Sequence, residues 1–200
     1  MPFLGMQHLS PRTHSRRPHR VLVLGVGNTL LQDDGAGVHV AETLRTDFRG
    51  DWLRAGCEPE IVDAGTVGLA LLPLIEDAAT LIVVDAAELG AAPGTLRVFP
   101  DGQIDRLLSG KRRTVHEVAL ADLFAAAALR GRSPARRALI AIQPGCTDWG
   151  LNPTPAVAAA IPRAGAAVWA LLRKWQTQPR EAPGGRVPER RIGPSERKIA

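Results

Sequence analysis

The stretch that decides the fold runs from Arg20 to Leu44 and reads R-V-L-V-L-G-V-G-N-T-L-L-Q-D-D-G-A-G-V-H-V-A-E-T-L. Its short apolar run, residues 21–24, contains β-branched side chains and stops at Gly25, which predicts a buried strand. Two carboxylates follow, Asp33 and Asp34, and after them apolar residues recur at the spacing of a helix. The stretch therefore predicts a strand, a turn and a helix. Two acids stand in the turn, which is where open α/β sheets bind ligands.

The rest of the chain continues this alternation of short apolar runs and longer amphipathic segments. Further strands are predicted at Glu60–Asp63, Thr80–Asp85, Thr95–Phe99 (as an edge strand) and Ala138–Ile142. Helices are predicted at Leu69–Ile75, Val118–Leu129 and Thr154–Gln176, the last kinked or interrupted at Pro162. Strands alternating with helices predict an α/β fold of three layers: a mostly parallel, twisted sheet of about five strands with helices on both faces.

Length and charge predict one domain flanked by two tails. Of the 200 residues, 20–176 form the expected domain, and the basic segments 1–19 and 177–200 are expected to be disordered. The net charge is +5, but residues 1–20 carry +4 and residues 176–200 carry +3, which leaves the body at −2. A mildly acidic body without a basic stripe is not expected to bind nucleic acid.

The composition also limits the cellular setting. No uninterrupted apolar run approaches the ~18 residues of a membrane span, so no membrane partner is expected. The two cysteines, Cys57 and Cys146, form no disulfide framework and no metal-type pair, which predicts a reducing, cytoplasmic location.

Carboxylates stand at the ends of three predicted strands. They are the pair Asp33/Asp34, then Asp63, and then Asp85. Each one alone is most simply a helix cap, but the ends of parallel strands meet at one edge of a sheet, and clustered carboxylates repel unless they share a cation or a proton. His116, at the start of a helix, supplies a nitrogen that would complete a site for Ni, Zn or Fe.

Other chemistries are less well supported by the motifs. His39 competes with His116 as the nitrogen ligand, but its mid-helix position predicts a solvated face. A Rossmann-like nucleotide site would need a third glycine where Leu30 stands. Cys146 could act as a thiol nucleophile with His116, yet no local signature surrounds it, and a buried or loop thiol is the better interpretation.

Taken in order, the motifs resemble one family, the maturation endopeptidases of nickel–iron hydrogenases. The resemblance covers residues 20 to about 175 and rests on short motifs that are weak singly and specific together. They are Gly25-x-Gly27-Asn28-x-Leu30-x-x-Asp33-Asp34-Gly35-x-Gly37, Asp63-x-Gly65-Thr66, Asp85-Ala86, His116 before a helix, and Gly150-Leu151-x-Pro153-Thr154-Pro155.

The resemblance implies a function and a site. Asp34, Asp85 and His116 would form the nickel-sensing, catalytic triad, and Asp63, Gly65 and Thr66 would help to recognise the substrate. The reaction would be a single hydrolytic cut, after nickel insertion, that removes a C-terminal extension from the hydrogenase large-subunit precursor. Nickel would arrive with that precursor, and the enzyme is expected to be a monomer.

Three alternatives to this function stay open. The chain could be an assembly factor that checks nickel loading and leaves the cut to another protein. It could be a peptidase of the same fold with another substrate, such as a spore protein, or a Rossmann-like nucleotide-binding enzyme. The sequence also leaves open whether nickel catalyses the cut or only licenses docking.

Overall fold

The structure, a computed structural model, describes residues 20–46, 58–66, 68–108 and 115–178, with the side chains of 108 and 115–117 excepted. The predictions for the two tails lie outside these residues. Five strands form one sheet: β1 (Val21–Val26), β2 (Glu60–Gly65), β3 (Thr80–Ala86), β4 (Leu96–Pro100) and β5 (Arg136–Ile142). The described helices are α1 (Ala36–Thr46), α2 (Leu72–Asp77), α3 (Gly102–Leu108), α4 (Val115–Leu129) and α5 (Pro155–Thr177), with 3-10 turns at Gln32–Gly35 and Leu69–Leu71.

The strand order creates a crevice between β1 and β3. The sheet runs β2-β1-β3-β5-β4, parallel throughout except for β4, which pairs antiparallel with β5 at one edge. The chain leaves β1 toward β2 on one side and then crosses back to β3 on the other. Such a switch point opens a crevice at the carboxyl ends of the two strands, where ligands bind in this class of fold.

Two apolar layers cover the sheet and confirm the predicted three-layer class. Alternate residues of the central strands face opposite sides, as the two-residue period of a strand requires. Leu22, Leu81 and Leu139 pack with α2, α3 and α4, whereas Val23, Ile82 and Ile140 pack with α1 and α5. Because both faces of the central strands are buried, their sequences are continuously apolar rather than alternating.

Glycines allow α1 to lie directly on the sheet. A Cβ built on Gly37, at the start of α1, would lie under 3.0 Å from the backbone of both Val26 and Val84. One on Gly25 would meet the backbone of Gly37 and the methyl group of Ala41 equally closely. The glycines at 25 and 37 therefore set the separation of α1 from β1 and β3, and with it the position of the turn that precedes α1.

The helical predictions need three corrections. Helix α5 is continuous through Pro162, so the predicted interruption is absent; its face from Val157 to Leu172 is buried against α1 and the sheet, and this packing outweighs the lost backbone hydrogen bond. Helix α4 begins three residues earlier than predicted, and α3 was not predicted at all. By length and composition α5 could cross a membrane, but here it is a packing helix of the core.

Candidate functional site

The turn after β1 holds Asp34 at the carboxyl end of that strand. Asp34 lies in the 3-10 turn, and its Oδ2 accepts a hydrogen bond of 3.0 Å from the backbone N–H of Asn28. Gly27 has a φ of 141°, and a Cβ there would overlap the Asp34 carbonyl group. Glycine at 27 thus lets the two backbone segments touch, and the contact fixes where the Asp34 carboxylate can lie.

Asp85 lies on β3, the strand next to β1, and is level with the end of β1. Gly25 pairs with Val84, so Val26 at the end of β1 is level with Asp85. Asp85 lies on the same side of β3 as Leu81 and Val83, whose side chains face the layer that contains α4. The residue is 2% exposed. Neighbouring strands are about 4.8 Å apart, so Asp34 and Asp85 border the same crevice.

The third predicted ligand, His116, lies in the first turn of α4. The other end of α4 is held at the amino edge of the sheet, where Arg130 Nε lies 2.9 Å from Glu76 Oε1. A helix of 15 residues spans about 22 Å, close to the length of the strands, so α4 begins near the carboxyl edge. The backbone of His116 is therefore on the same face and toward the same edge as Asp85.

The side chain of His116 is outside the described part of the chain, so the full triad stays a prediction. Within that part, no three His, Cys, Asp or Glu side chains form a metal-binding group. Asp34 and Asp85 do border one crevice, and both are oxygen donors. Adding an imidazole gives an oxygen/nitrogen set that suits nickel as well as zinc or iron.

Asp33 has a different role from its neighbour. It is 0% exposed, and its carboxylate accepts hydrogen bonds from the N–H groups of Gly145 (2.7 Å), Cys146 (3.0 Å) and Thr154 (2.6 Å). The Thr154 hydroxyl donates a further bond at 2.9 Å. Of the two adjacent acids, Asp33 fastens the loop after β5 to the turn after β1, and Asp34 is the one left for the crevice.

These bonds also set the ionisation of Asp33. Burial of the carboxyl group raises its pKa, but the hydrogen bonds from Gly145, Cys146 and Thr154 favour the ionised form and bring the pKa below its ordinary value. The stability that Asp33 supplies is therefore complete above its unfolded-state pKa of about 3.9 and is lost as pH falls through the lower folded-state value.

Asp33→Asn should destabilise the fold. The amide would place an N–H₂ group against N–H or O–H donors, so we expect the free energy of unfolding to fall by about 2–4 kcal/mol at pH 7. Urea denaturation of both proteins from pH 7 to pH 2.5 measures the difference between their free energies of unfolding. This difference should narrow below about pH 4 as the wild-type carboxylate is protonated. Asp148→Asn, in the same loop but exposed, should change stability by less than about 0.5 kcal/mol. A difference in the free energy of unfolding that stays constant with pH would contradict the role of the ionised Asp33 carboxylate in stability.

Gln143, at the end of β5, holds the loop that follows Asp85. It is 4% exposed, and its Oε1 accepts the N–H groups of Leu89 (2.7 Å) and Ala91 (3.3 Å). Its Nε2 donates to Glu88 Oε2 at 3.2 Å. Sequence reasoning missed Gln143, although a polar residue directly after an apolar strand was an available signal. Thr154 was identified only as part of a motif, and its bond to Asp33, made instead of a side-chain cap on α5, was not predicted.

The predicted recognition segment lies at the same edge of the sheet. Asp63 is exposed and pairs with Gly25, and its Oδ1 accepts the N–H of Gly65 at 2.9 Å. Gly65, with a φ of 49°, accepts the N–H of Gly27 at 2.9 Å. Together with exposed Thr66, this segment adjoins the Asp34 turn. Its predicted part in substrate recognition stays a prediction.

The competing residues occupy other positions. His39 lies in α1, on the face opposite Asp85, with Nδ1 3.3 Å from Glu42 Oε2. Its side chain is 23% exposed, so the face on which it lies is partly rather than fully solvated. Cys146 is a partly exposed loop thiol, as expected, with Sγ 3.4 Å from Asp148 Oδ2.

Comparison with known proteins agrees with the geometry. The family model HycI, described as hydrogenase maturation protease, matches residues 38–170. The hydrogenase expression/formation protein HupD of Rhodobacter capsulatus is 38% identical over 160 residues, 80% of this chain and 74% of that protein. The hydrogenase 2 maturation protease of Escherichia coli K12 is 35% identical over 167 residues, 82% of this chain and 98% of that protein.

Solved structures give the same result. The hydrogenase maturating endopeptidase HybD of E. coli superposes with a TM-score of 0.68 at 33% identity, covering 78% of this chain and 93% of that structure. The hydrogenase maturation protease HycI of Thermococcus kodakarensis, at 22% identity and a TM-score of 0.61, shares the fold.

Proposed function

Because this chain belongs to the hydrogenase maturation protease family, we propose that it removes a C-terminal extension from the precursor of a nickel–iron hydrogenase large subunit. Membership confirms the family and the peptidase class expected from the sequence. The observation that carries the proposal is the placement of Asp34 and Asp85 on either side of the β1/β3 crevice, with α4 beginning toward the same edge.

The two carboxylates and His116 recognise nickel that the precursor carries. Asp34 approaches from the turn, where the Asn28 N–H holds one of its oxygens, and Asp85 approaches from the sheet. The precursor brings the metal as part of the substrate, so cleavage waits until nickel has been inserted. A chain that supplies only a few ligands, all at the carboxyl edge of its sheet, suits a nickel ion that the precursor already binds.

Hydrolysis then needs a water and a polarised carbonyl group. Asp34, Asp85 and His116 would hold the nickel beside the scissile bond, and the metal would supply either polarisation of that carbonyl or a lower pKa for the attacking water. The water oxygen bonds to the carbonyl carbon, the carbon–nitrogen bond breaks, and the amine of the released extension takes the proton. Exposed Asp63 and Thr66 lie beside the Asp34 turn, where they can contact the peptide that enters the crevice.

The test is processing of purified precursor, followed by intact mass. We expect the wild-type chain to release one discrete C-terminal peptide from nickel-loaded precursor and none from nickel-free precursor. His116→Ala should remain folded, by circular dichroism, and leave the precursor uncut, because it removes the imidazole donor. Normal processing by this variant would overturn the assignment of His116.

The same experiment separates the enzyme from the nickel-checking factor. A nickel-dependent complex without any change in mass would favour the checking factor. If nickel-loaded precursor is neither bound nor cut, the proposed substrate is wrong.

A further inference from the structure

Three large apolar side chains lie exposed beside the site. Leu30 is 48% exposed, Trp149 80% and Leu151 68%. Single exposed apolar residues are common on protein surfaces, but three on adjoining loops form a patch that folding leaves uncovered. We call these three residues the apolar patch.

Backbone pairing brings the residues of the apolar patch together. Leu31 and Gly150 form an isolated parallel bridge, in which Gln32 N–H donates to Gly150 O at 2.8 Å and Gly150 N–H donates to Leu30 O at 2.9 Å. Leu30 and Trp149 thus precede the bridge on its two strands, and Leu151 follows it. Bridged backbones lie about 5 Å apart, so the three side chains project from one small area.

The loops that carry the apolar patch are rigidly braced. Besides the bridge, Asp33 N–H donates to Cys146 O at 3.1 Å, and the Asp33 carboxylate binds the N–H groups of Gly145 and Thr154 on either side of the patch. Gln32 is held at a φ of 44°, a conformation that a residue other than glycine adopts at a cost. Strain of this kind persists only where the surrounding bonds impose it.

A braced, exposed tryptophan has the properties of a binding anchor. Binding hot spots are enriched in tryptophan, and a side chain that is already ordered loses little entropy when a partner covers it. The bonds described above fix the backbone on both sides of Trp149 and leave its side chain exposed, so a partner that covers it does not have to order the loop as well.

We propose that Leu30, Trp149 and Leu151 dock an apolar surface of the precursor beside the bond that is cut. This inference rests on the proposed function and adds the substrate contact that supplies affinity. The position of the patch beside the site supports this assignment: Leu30 is four residues from Asp34 in the loop and turn after β1, so a protein substrate seated at Asp34 would lie next to the patch. For this reason we assign the patch to the substrate rather than to a second copy of the chain.

The variants Trp149→Ala and Leu151→Ala test the docking role. Both side chains are mostly exposed, so the melting temperature should be unchanged. Processing of nickel-loaded precursor should show a KM raised about tenfold or more for Trp149→Ala and a kcat within about twofold of wild type, since an apolar docking contact binds the substrate and the transition state equally. Leu129→Ala, at 90% exposure on the distant end of α4, is the matched control and should leave both constants unchanged.

Each outcome decides the proposal. If wild type cuts the precursor and Trp149→Ala does so with the same KM, the docking role is wrong while the proposed function stands. If wild type does not cut, calorimetric binding of the precursor to wild type and to Trp149→Ala decides: tenfold weaker binding by the variant supports docking, and equal binding or none overturns it. A wild-type dimer that Trp149→Ala converts to monomer would assign the patch to a second copy and overturn the proposal.

Discussion

Asp85→Asn should lower kcat/KM for precursor processing at least about a thousandfold, because it replaces the carboxylate that we propose as a nickel ligand on the side of the crevice that solvent does not reach. The amide has nearly the same shape as the carboxyl group, so we expect the variant to stay folded. Single-turnover processing of nickel-loaded precursor, followed by intact mass, measures the rate. Near-ultraviolet circular dichroism reports whether the packing is intact.

The control for this variant is Asp122→Asn. Asp122 is an exposed carboxylate in the middle of α4, so its replacement changes the net charge by the same amount and lies outside both the crevice and the apolar patch. Its processing rate should stay within about twofold of wild type, as expected for a change at an exposed surface position. Retention of a tenth or more of the wild-type rate by Asp85→Asn would contradict a ligand role for Asp85.

Gly37→Ala should prevent the chain from folding stably. The added methyl group would lie under 3.0 Å from the backbone of Val26 and Val84, and neither strand can move without disrupting the centre of the sheet. Helix α1 would have to lift away, which opens the apolar layer beneath it, so we expect a loss of about 4 kcal/mol or more. Thermal unfolding, or the soluble yield where no transition is seen, gives the measurement.

Gly102→Ala is the matched substitution for that experiment. A Cβ at Gly102, in the first turn of α3, meets nothing within 4 Å, and alanine favours a helix over glycine. Its melting temperature should equal or slightly exceed that of wild type. A Gly37→Ala protein that melts within a few degrees of wild type would show that α1 does not depend on this close approach.

The parts of the fold that follow from local periodicity could be predicted from the sequence. β1, β2, β3 and β5 are short apolar runs, and β4, predicted as an edge strand, is the antiparallel edge of the sheet. Short α3 lacked such a signal, since Ile104 is the only fully buried residue among the described side chains of this helix, 102–107. The continuity of α5 through Pro162 depends on tertiary packing, which a local rule about proline does not include.

The sequence could not predict that Asp33 would hold the loop after β5 and that Asp34 would border the crevice. The two residues are adjacent and chemically identical, and successive side chains of a 3-10 turn point in directions about 120° apart. Which one meets the loop 145–154 is decided by contacts between segments more than a hundred residues apart in the chain. The strand-end position of Asp85 was predictable, because it depends only on where an apolar run stops.

The hydrogen bonds of Asp33 also determine at which stage of chain synthesis the site can become active. Its carboxylate joins residues 112, 113 and 121 positions later in the chain, so the turn with Asp34 is synthesised long before the loop that braces it. Closing a loop of this length is among the slow, non-local steps of folding. A ribosome-bound chain that stops before Gly145 therefore has the carboxylates of Asp34 and Asp85 without the brace that fixes the Asp34 turn, and we expect the enzyme to become competent only when nearly all of the domain has been made.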